Sequence, residues 1–391
     1  MSADRADLVV IGGGIVGAAT AFYAARAGLT VMLVERRSGL ATLTTTRSLE
    51  GVRAQFDDAE DIAMMRESLE VFEGFAEIVG VPGLDVSFHQ QGYLFLSQTA
   101  EGASRIAARV RCQHAAGLDD VELLTGPEAR RRFPFLADDL TAASFRQRDG
   151  WVASHEVTYG FVAGARDRAT VRLETEVVGL DVGQGRLRAV VTSRGRIETP
   201  RAVIAAGPFS GRVAALAGLA IPFFALRRHR AGIKAHPLIP RGAPMTISLD
   251  TGAHWRPEGP GAWFGWSGAL DEQPEEPRED VPAEWTFPAL ALEAVARFTP
   301  FWDEVAATLT QANVTVEAGQ YDMTRDAKPL IGPTEIDGLY LNAGYSGHGV
   351  MGSPAGARLC VDVMLGRVTP AQNAFRPSRF QEGEVAAKKP L

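Results

Sequence analysis

Apolar and polar positions run along the chain in several rhythms, and each predicts a different element. Apolar runs at 7–11 (DLVVI) and 30–34 (TVMLV) flank a stretch of small residues at 15–27, which reads as strand, helix, strand. Ile62, Met65, Leu69, Phe72, Ala76 and Val79 then recur at spacings of three and four, the stripe of an amphipathic helix packed on a core. The segment 84–97, containing VSFHQQGYLFLS, reads as strand, turn and strand, and 102–117 as helix. Three short strands with turns at GQG and SRG fill 174–206, and strand signals rich in aromatics near WFGW return over 221–268. A helix is predicted over 289–308 with an interruption at Pro300, a solvated loop over the proline-broken acidic run 271–282, and a loose tail over the closing QEGEVAAKKPL. No internal repeat is visible.

The βαβ-type pieces fall at 1–80, 150–220 and 320–391, with sheet-like inserts at 81–149 and 221–319. This predicts a discontinuous dinucleotide-binding domain and a second domain built from two separate segments. A chain of 391 residues is long enough for two such cores.

Composition narrows the class. With 46% apolar and 22% charged residues the chain reads as an ordinary globular protein, and a net charge of −7 gives no reason to expect nucleic acid as a partner. Cys112 and Cys360 are the only cysteines, far apart, which suits a reducing compartment and argues against a disulfide framework, a metal site or a dithiol centre. No export signal precedes the first strand, and LVVIGGGIVGAATAFYAA fits a buried βα unit better than a membrane span, so the expected location is cytoplasmic.

IGGGIVG places Gly12, Gly14 and Gly17 in the GxGxxG pattern between a strand and a helix, and Glu35 ends the second strand. In such a motif one glycine makes the tight turn and the next lets backbone approach a pyrophosphate. The third lets helix and strand pack, and the acid accepts from a ribose. The motif's early position, the later VIAAGPFS (203–210) and the absence of a second GxGxxG favour FAD over a nicotinamide. A second glycine cluster, GYSGHGVMGSPAG (344–356), precedes another helix-like run, as expected where backbone must come close to a ligand.

Several stretches occur in one order: DLVVIGGGIVGAATAFYAARAGLTVMLVE, TTTRSLEGVRAQF, RAVIAAGPFS, YDMTRDAKPLIG, GLYLNAGYSGHGVMGSPA and the closing FRPSRF. Together they resemble the D-amino-acid oxidase/sarcosine oxidase family of flavoproteins, nearest to its sarcosine oxidase β-subunit-like branch. The resemblance implies an α/β fold: a Rossmann-like, doubly wound FAD-binding domain of the glutathione-reductase type, with an α+β substrate domain on a mixed or antiparallel sheet. It implies FAD contacts from Gly12, Gly14, Ile15, Val16, Gly17, Glu35 and Arg36, from Thr45, Thr46, Arg47 and Ser48, and from Val177, Ala206, Gly207 and Phe209. The late loop adds Gly344, Gly347, His348, Gly349, Val350 and Met351, whose N–H groups and helix N-terminus would stabilise charge on a reduced flavin. Arg53, His348 and Tyr345 are the catalytic candidates; Arg53 falls where the family binds a carboxylate, and His348 reads as electrostatic rather than as a base. Tyr93, Tyr321 and Trp263, with Trp266 beside it, are candidates for the substrate pocket, and no metal is implied.

Departures from the family pattern matter as well. Gly319 stands where some members carry a flavin-linking cysteine, and LATLTTTRSLEG holds no histidine, so the FAD is expected to be non-covalent. Trp263, Met351 and Tyr321 stand where relatives carry an oxygen-activating lysine, a carboxylate-binding lysine and a carboxylate-binding arginine. A substrate bulkier or less anionic than sarcosine or glycine follows. The expected reaction takes a hydride from the carbon beside the nitrogen of a secondary, N-methyl or cyclic, or other amino acid, and the imine then hydrolyses. Oxygen or an electron-accepting partner would reoxidise the flavin, alone or within a homo- or hetero-oligomer. Two other readings remain open here: a D-amino-acid or heteromeric proline/sarcosine dehydrogenase β-type subunit, and a flavin-binding subunit without turnover.

Overall fold

In the computed structural model, which describes residues 4–270, 273–383 and 387, the first apolar runs become strands Leu8–Ile11 and Val31–Val34, buried at every position. They lie inside a six-stranded sheet ordered Leu330–Pro333, Leu339–Ala343, Ala202–Ile204, Leu8–Ile11, Val31–Val34, Ala169–Arg172. All pairs are parallel except the edge hairpin that Leu330–Pro333 makes with Leu339–Ala343. Burial on both faces is why these strands read as unbroken apolar runs.

The helix Ile15–Arg26 carries Ala18, Ala19, Ala21 and Ala24, all buried, so it packs closely against two helices, Ser154–Ala165 and Gly349–Met364. Being covered nearly all round, it needs no polar face. Chain from near both termini therefore meets on one side of the sheet. On the other side the meander Val177–Gly183, Arg186–Thr192 and Gly195–Glu198, joined by Asp4–Arg5, forms a four-stranded sheet whose turns fall at GQG and SRG.

A nine-stranded mixed sheet holds the second core. Its long strand Phe223–Ile233 pairs along its whole length with Val314–Thr324, from Phe223 opposite Thr324 to Ile233 opposite Val314. The latter strand crosses the boundary drawn at residue 320. Helices Phe287–Ala296 and Phe301–Ala306 flank the break at Pro300.

Three local expectations change. Within 84–97 only Tyr93–Ser97 is a strand; left-handed Gly83, Ser87 and Gly92 break the preceding segment, which keeps one bridge between His89 and Trp151. The amphipathic stripe is carried by two helices, Ala59–Glu73 and Phe75–Val79, divided at Gly74. The acidic run is not wholly a loop: Pro274–Glu275 adds an edge strand, and Glu275 pairs with Arg227. Residues 271–272, and most of the predicted loose tail, lie outside the described residues. No helix among the described residues is long and apolar enough to cross a membrane.

Candidate active site

The glycines of the first turn divide their work. A Cβ on Gly17 would sit 1.9 Å from the Gly12 carbonyl oxygen, and one on left-handed Gly12 would sit 2.5 Å from that of Ala205, so both let backbone cross backbone. Gly14 differs: its Cβ would meet only Thr45 Oγ1, at 3.3 Å, and the residue borders an open groove at the N-terminus of the first helix. Glu35 is held at the groove by the N–H of Gly13 (2.7 Å) and of Arg37 (2.9 Å). The groove, open to solvent along part of its length, has a volume of about 860 Å³ and continues past Ala206, Gly207 and Phe209 to Tyr345, Gly349 and Val350. Helix N-terminus, side-chain-free cradle and fixed carboxylate suit the pyrophosphate and ribose of a dinucleotide.

At its other end the groove meets the late loop. Gly344, Ser346 and Gly347 all take left-handed backbone angles. Asp322 fastens them: its Oδ2 accepts the Gly344 N–H at 2.6 Å and its carbonyl accepts the Ser346 N–H at 2.9 Å. Burial pushes the Asp322 carboxyl up to about 6 against the opposing effect of the backbone N–H groups of Gly344, Asp322 and Tyr345. Gly347 lies against the Tyr321 ring, where a Cβ would come within 2.9 Å. His348 caps the helix Gly349–Met364, edge-on to Phe56. Pro354 inside this helix has no N–H to give; the Val350 carbonyl accepts from Ser353 Oγ (3.0 Å), and the Ala355 N–H finds Ser68 Oγ (3.2 Å).

A second cavity of about 930 Å³ touches the groove through Ser48, Tyr321, Gly347 and Val350. Its walls bring together Arg53, Tyr93, His348 and Met351. Arg53 is buried, its Nη1 donating to the Gln55 carbonyl and its guanidinium 3.9 Å from the Phe56 ring. The carboxylates it feels are committed elsewhere, Asp57 to Arg109 (2.7 Å) and Asp149 to Arg146 (2.5 Å). Burial, then repulsion from Arg109, brings Arg53 down to about 10. Asp149, itself fully buried, also accepts from the Ala54 N–H (3.0 Å) and Gln55 Nε2 (3.1 Å), which fixes the segment after Arg53.

Other candidates fall differently. Tyr345 borders the groove but not the second cavity; its hydroxyl donates to Asn342 Oδ1 and lies 2.0 Å from where a Cβ on Gly356 would stand. Part of the late glycine pattern thus seats this ring, and a catalytic hydroxyl at Tyr345 is not what the geometry offers. Trp263 borders neither cavity: Arg230 and Arg256 stack on its ring at 3.7 and 4.3 Å, while Trp266 borders the second cavity. Arg36 lies over the Phe209 ring and pairs with Glu279; Arg47 pairs with Glu317; Thr46 donates to the Ala41 carbonyl; Val177 begins the meander. None of these four, nor Gly17 or Gly344, borders the groove, whereas Thr45 and Ser48 do. Gly319 gives room to Arg47, and no cysteine or histidine borders the groove. The sequence reading missed Glu50, His229 and His254 in the second cavity. Each reaches it through tertiary pairing, and no motif marks them.

A dinucleotide groove that runs into a second cavity with a buried guanidinium on its wall defines a flavoprotein oxidoreductase architecture. The family model described as DAO, FAD dependent oxidoreductase, matches residues 7–363, and the chain belongs to that family. Its cofactor is FAD. The chain is 28% identical to L-proline dehydrogenase from P. horikoshii, with a TM-score of 0.86, covering 98% of this chain and 100% of that one. It is 26% identical to sarcosine oxidase subunit beta of Rhizobium meliloti (strain 1021), over 98% of this chain and 90% of the relative. FAD-dependent oxidoreductase domain-containing protein 1 of Xenopus laevis is likewise 26% identical, over 93% of this chain and 79% of its own length.

Proposed function

We propose that this FAD-dependent oxidoreductase acts on a secondary (N-methyl or cyclic) or other amino acid, removing hydride from the carbon next to nitrogen. The observation that carries this reading is Arg53: a buried guanidinium on the wall of the second cavity, with no carboxylate of its own among the described residues. A planar, always-charged donor in that setting favours a carboxylate ligand. Similarity to a proline dehydrogenase and to a sarcosine oxidase subunit supports the same substrate class.

When bound, FAD supplies the two-electron acceptor. The chain's own residues do the rest. Arg53 holds the substrate carboxylate, Asp149 keeps the Arg53 segment in place, and the apolar walls Met245, Ile247 and Met351 exclude water. The N-terminus of the helix Gly349–Met364 and the loop held by Asp322 supply fixed positive dipoles where the groove meets the cavity. The FAD is non-covalent on this reading, since the groove offers no cysteine or histidine.

The test is an anaerobic screen of purified yellow protein with primary, N-methylated and cyclic amino acids. Bleaching of the flavin absorbance by an amino acid but not by the corresponding amine without a carboxylate is expected. Bleaching by neither class, with flavin still reducible by dithionite, would overturn the reading. Similarity to a protein named as a subunit supports reoxidation through a partner chain; slow reoxidation in air after bleaching is the outcome that agrees with it.

A further inference from the structure

The second cavity contains an acceptor that complements Arg53. His254 borders it from the strand His254–Glu258. Its Nδ1 lies 2.9 Å from the Gly252 carbonyl, which can only accept, so Nδ1 carries the proton and Nε2 is a bare lone pair. Burial, with the nearby Arg53 cation adding to it, holds the ring in its neutral form despite that carbonyl contact. Nε2 has no hydrogen-bond partner among the described residues. Across the strand pair stands Gly265, where a Cβ would fall 2.4 Å from Nε2; the missing side chain seats the ring.

Two other acceptor side chains on these walls, Glu50 and His229, already have partners. Glu50 Oε1 takes the Ser154 hydroxyl (2.5 Å), and its Oε2 faces Arg256 Nη2 at 3.7 Å. His229 Nε2 accepts the Glu284 N–H at 3.1 Å. The same cavity thus holds a guanidinium that no described carboxylate pairs and an imidazole nitrogen to which no described residue donates.

We propose that His254 is a specificity-determining residue whose Nε2 accepts a hydrogen bond from the substrate nitrogen while Arg53 holds the carboxylate, so that the cavity selects amino acids that retain an N–H. The assignment rests on the amino-acid reading above. A tertiary amine would fill the same space, cut Nε2 off from water and offer it no donor, which is costly.

Two inert ligands of matched shape separate the contributions: pyrrole-2-carboxylate, with an N–H beside its carboxylate, and furan-2-carboxylate, with an oxygen there. Each is titrated into oxidised holoenzyme and followed by perturbation of the flavin spectrum. The wild-type protein is expected to bind the pyrrole acid about tenfold or more tightly, the worth of one hydrogen bond to an otherwise unpaired acceptor. In His254→Phe the preference is expected to collapse to parity, while Arg53→Lys weakens both ligands and keeps the preference. A wild-type ratio near one overturns the proposal without any variant, and so does a full preference surviving in His254→Phe. If wild-type holoenzyme binds the furan acid but shows no preference, only the role of His254 falls. If it binds neither acid, the amino-acid reading falls and takes this assignment with it.

Discussion

The Tyr345 hydroxyl donates to Asn342 Oδ1 at 2.6 Å, and through Asn342 it is tied to the opposite end of the chain. Asn342 Nδ2 donates to Thr20 Oγ1 (3.0 Å), which donates to the Val16 carbonyl (2.7 Å) in the first turn of the first helix. The late loop and the early helix are thus joined by buried hydrogen bonds beneath the groove. Tyr345→Phe leaves a buried acceptor unpaired and is expected to cost about 1–3 kcal/mol of stability. Turnover per bound flavin should stay near wild type, because the hydroxyl does not reach the second cavity. Thermal melts and kinetics at known FAD content check both; a large loss of turnover with full FAD would return Tyr345 to the chemistry.

Gly14 and Gly17 should fail in different ways. Gly17→Ala drives a Cβ to 1.9 Å from backbone, with nothing flexible to yield, and little folded protein is expected. Gly14→Ala meets a side-chain hydroxyl at 3.3 Å, so the chain should fold and lose FAD affinity instead. Yield of folded protein and FAD content per chain distinguish them, and wild-type FAD affinity in Gly14→Ala would contradict the cradle.

Arg53→Ala is expected to weaken carboxylate ligands by about 2 kcal/mol or more, as for a lost charge-assisted bond. Asp149→Asn attacks the same site indirectly. It leaves Asp120 as the one charged partner of Arg146 among the described residues and swaps an acceptor for a donor opposite either Ala54 or Gln55. A stability loss of about 3 kcal/mol is expected, with a raised KM for carboxylate substrates and FAD retained. Unchanged KM in both variants would remove this wall from substrate binding.

Asp322 gives the fold a pH signature. Its carboxyl is raised from the ordinary 3.8 to about 6 in the folded protein, so between those values the folded state binds the extra proton. The stability this group contributes is present in full below pH 4 and is lost as pH rises through 6, by up to about 3 kcal/mol at 1.36 kcal/mol per pH unit. Asp322→Asn, which keeps an oxygen for the Gly344 N–H, should flatten that part of the curve. Denaturant titrations from pH 4 to 7 compare the two slopes; parallel curves would mean that Asp322 does not hold the proton.

Acid precipitation of the holoenzyme should leave the yellow colour in solution. A yellow pellet would require a covalent link at a residue outside the groove wall.

What was legible locally was the nucleotide end of the site. Gly12, Gly14, Gly17 and Glu35 lie within one βαβ unit, so their spacing alone predicts how they meet. The late loop was legible as a close backbone approach, but the sequence could not assign its glycines: Gly352 and Gly356 make room for Tyr345, a contact set by helix rotation. Trp263 was misplaced because its surroundings depend on two strand pairings, opposite Gly232 on one side and Arg256 on the other. His254 reaches the cavity through the same kind of register, and nothing in AHWRPEG marks it.

The helix Gly349–Met364 completes a site begun by the first turn of the chain, and this orders events during biosynthesis. A nascent polypeptide lacking that helix has half a binding groove and an uncovered alanine-rich face on Ile15–Arg26. Capture of FAD must therefore wait until Gly349–Met364 has been made and folded back onto Ile15–Arg26.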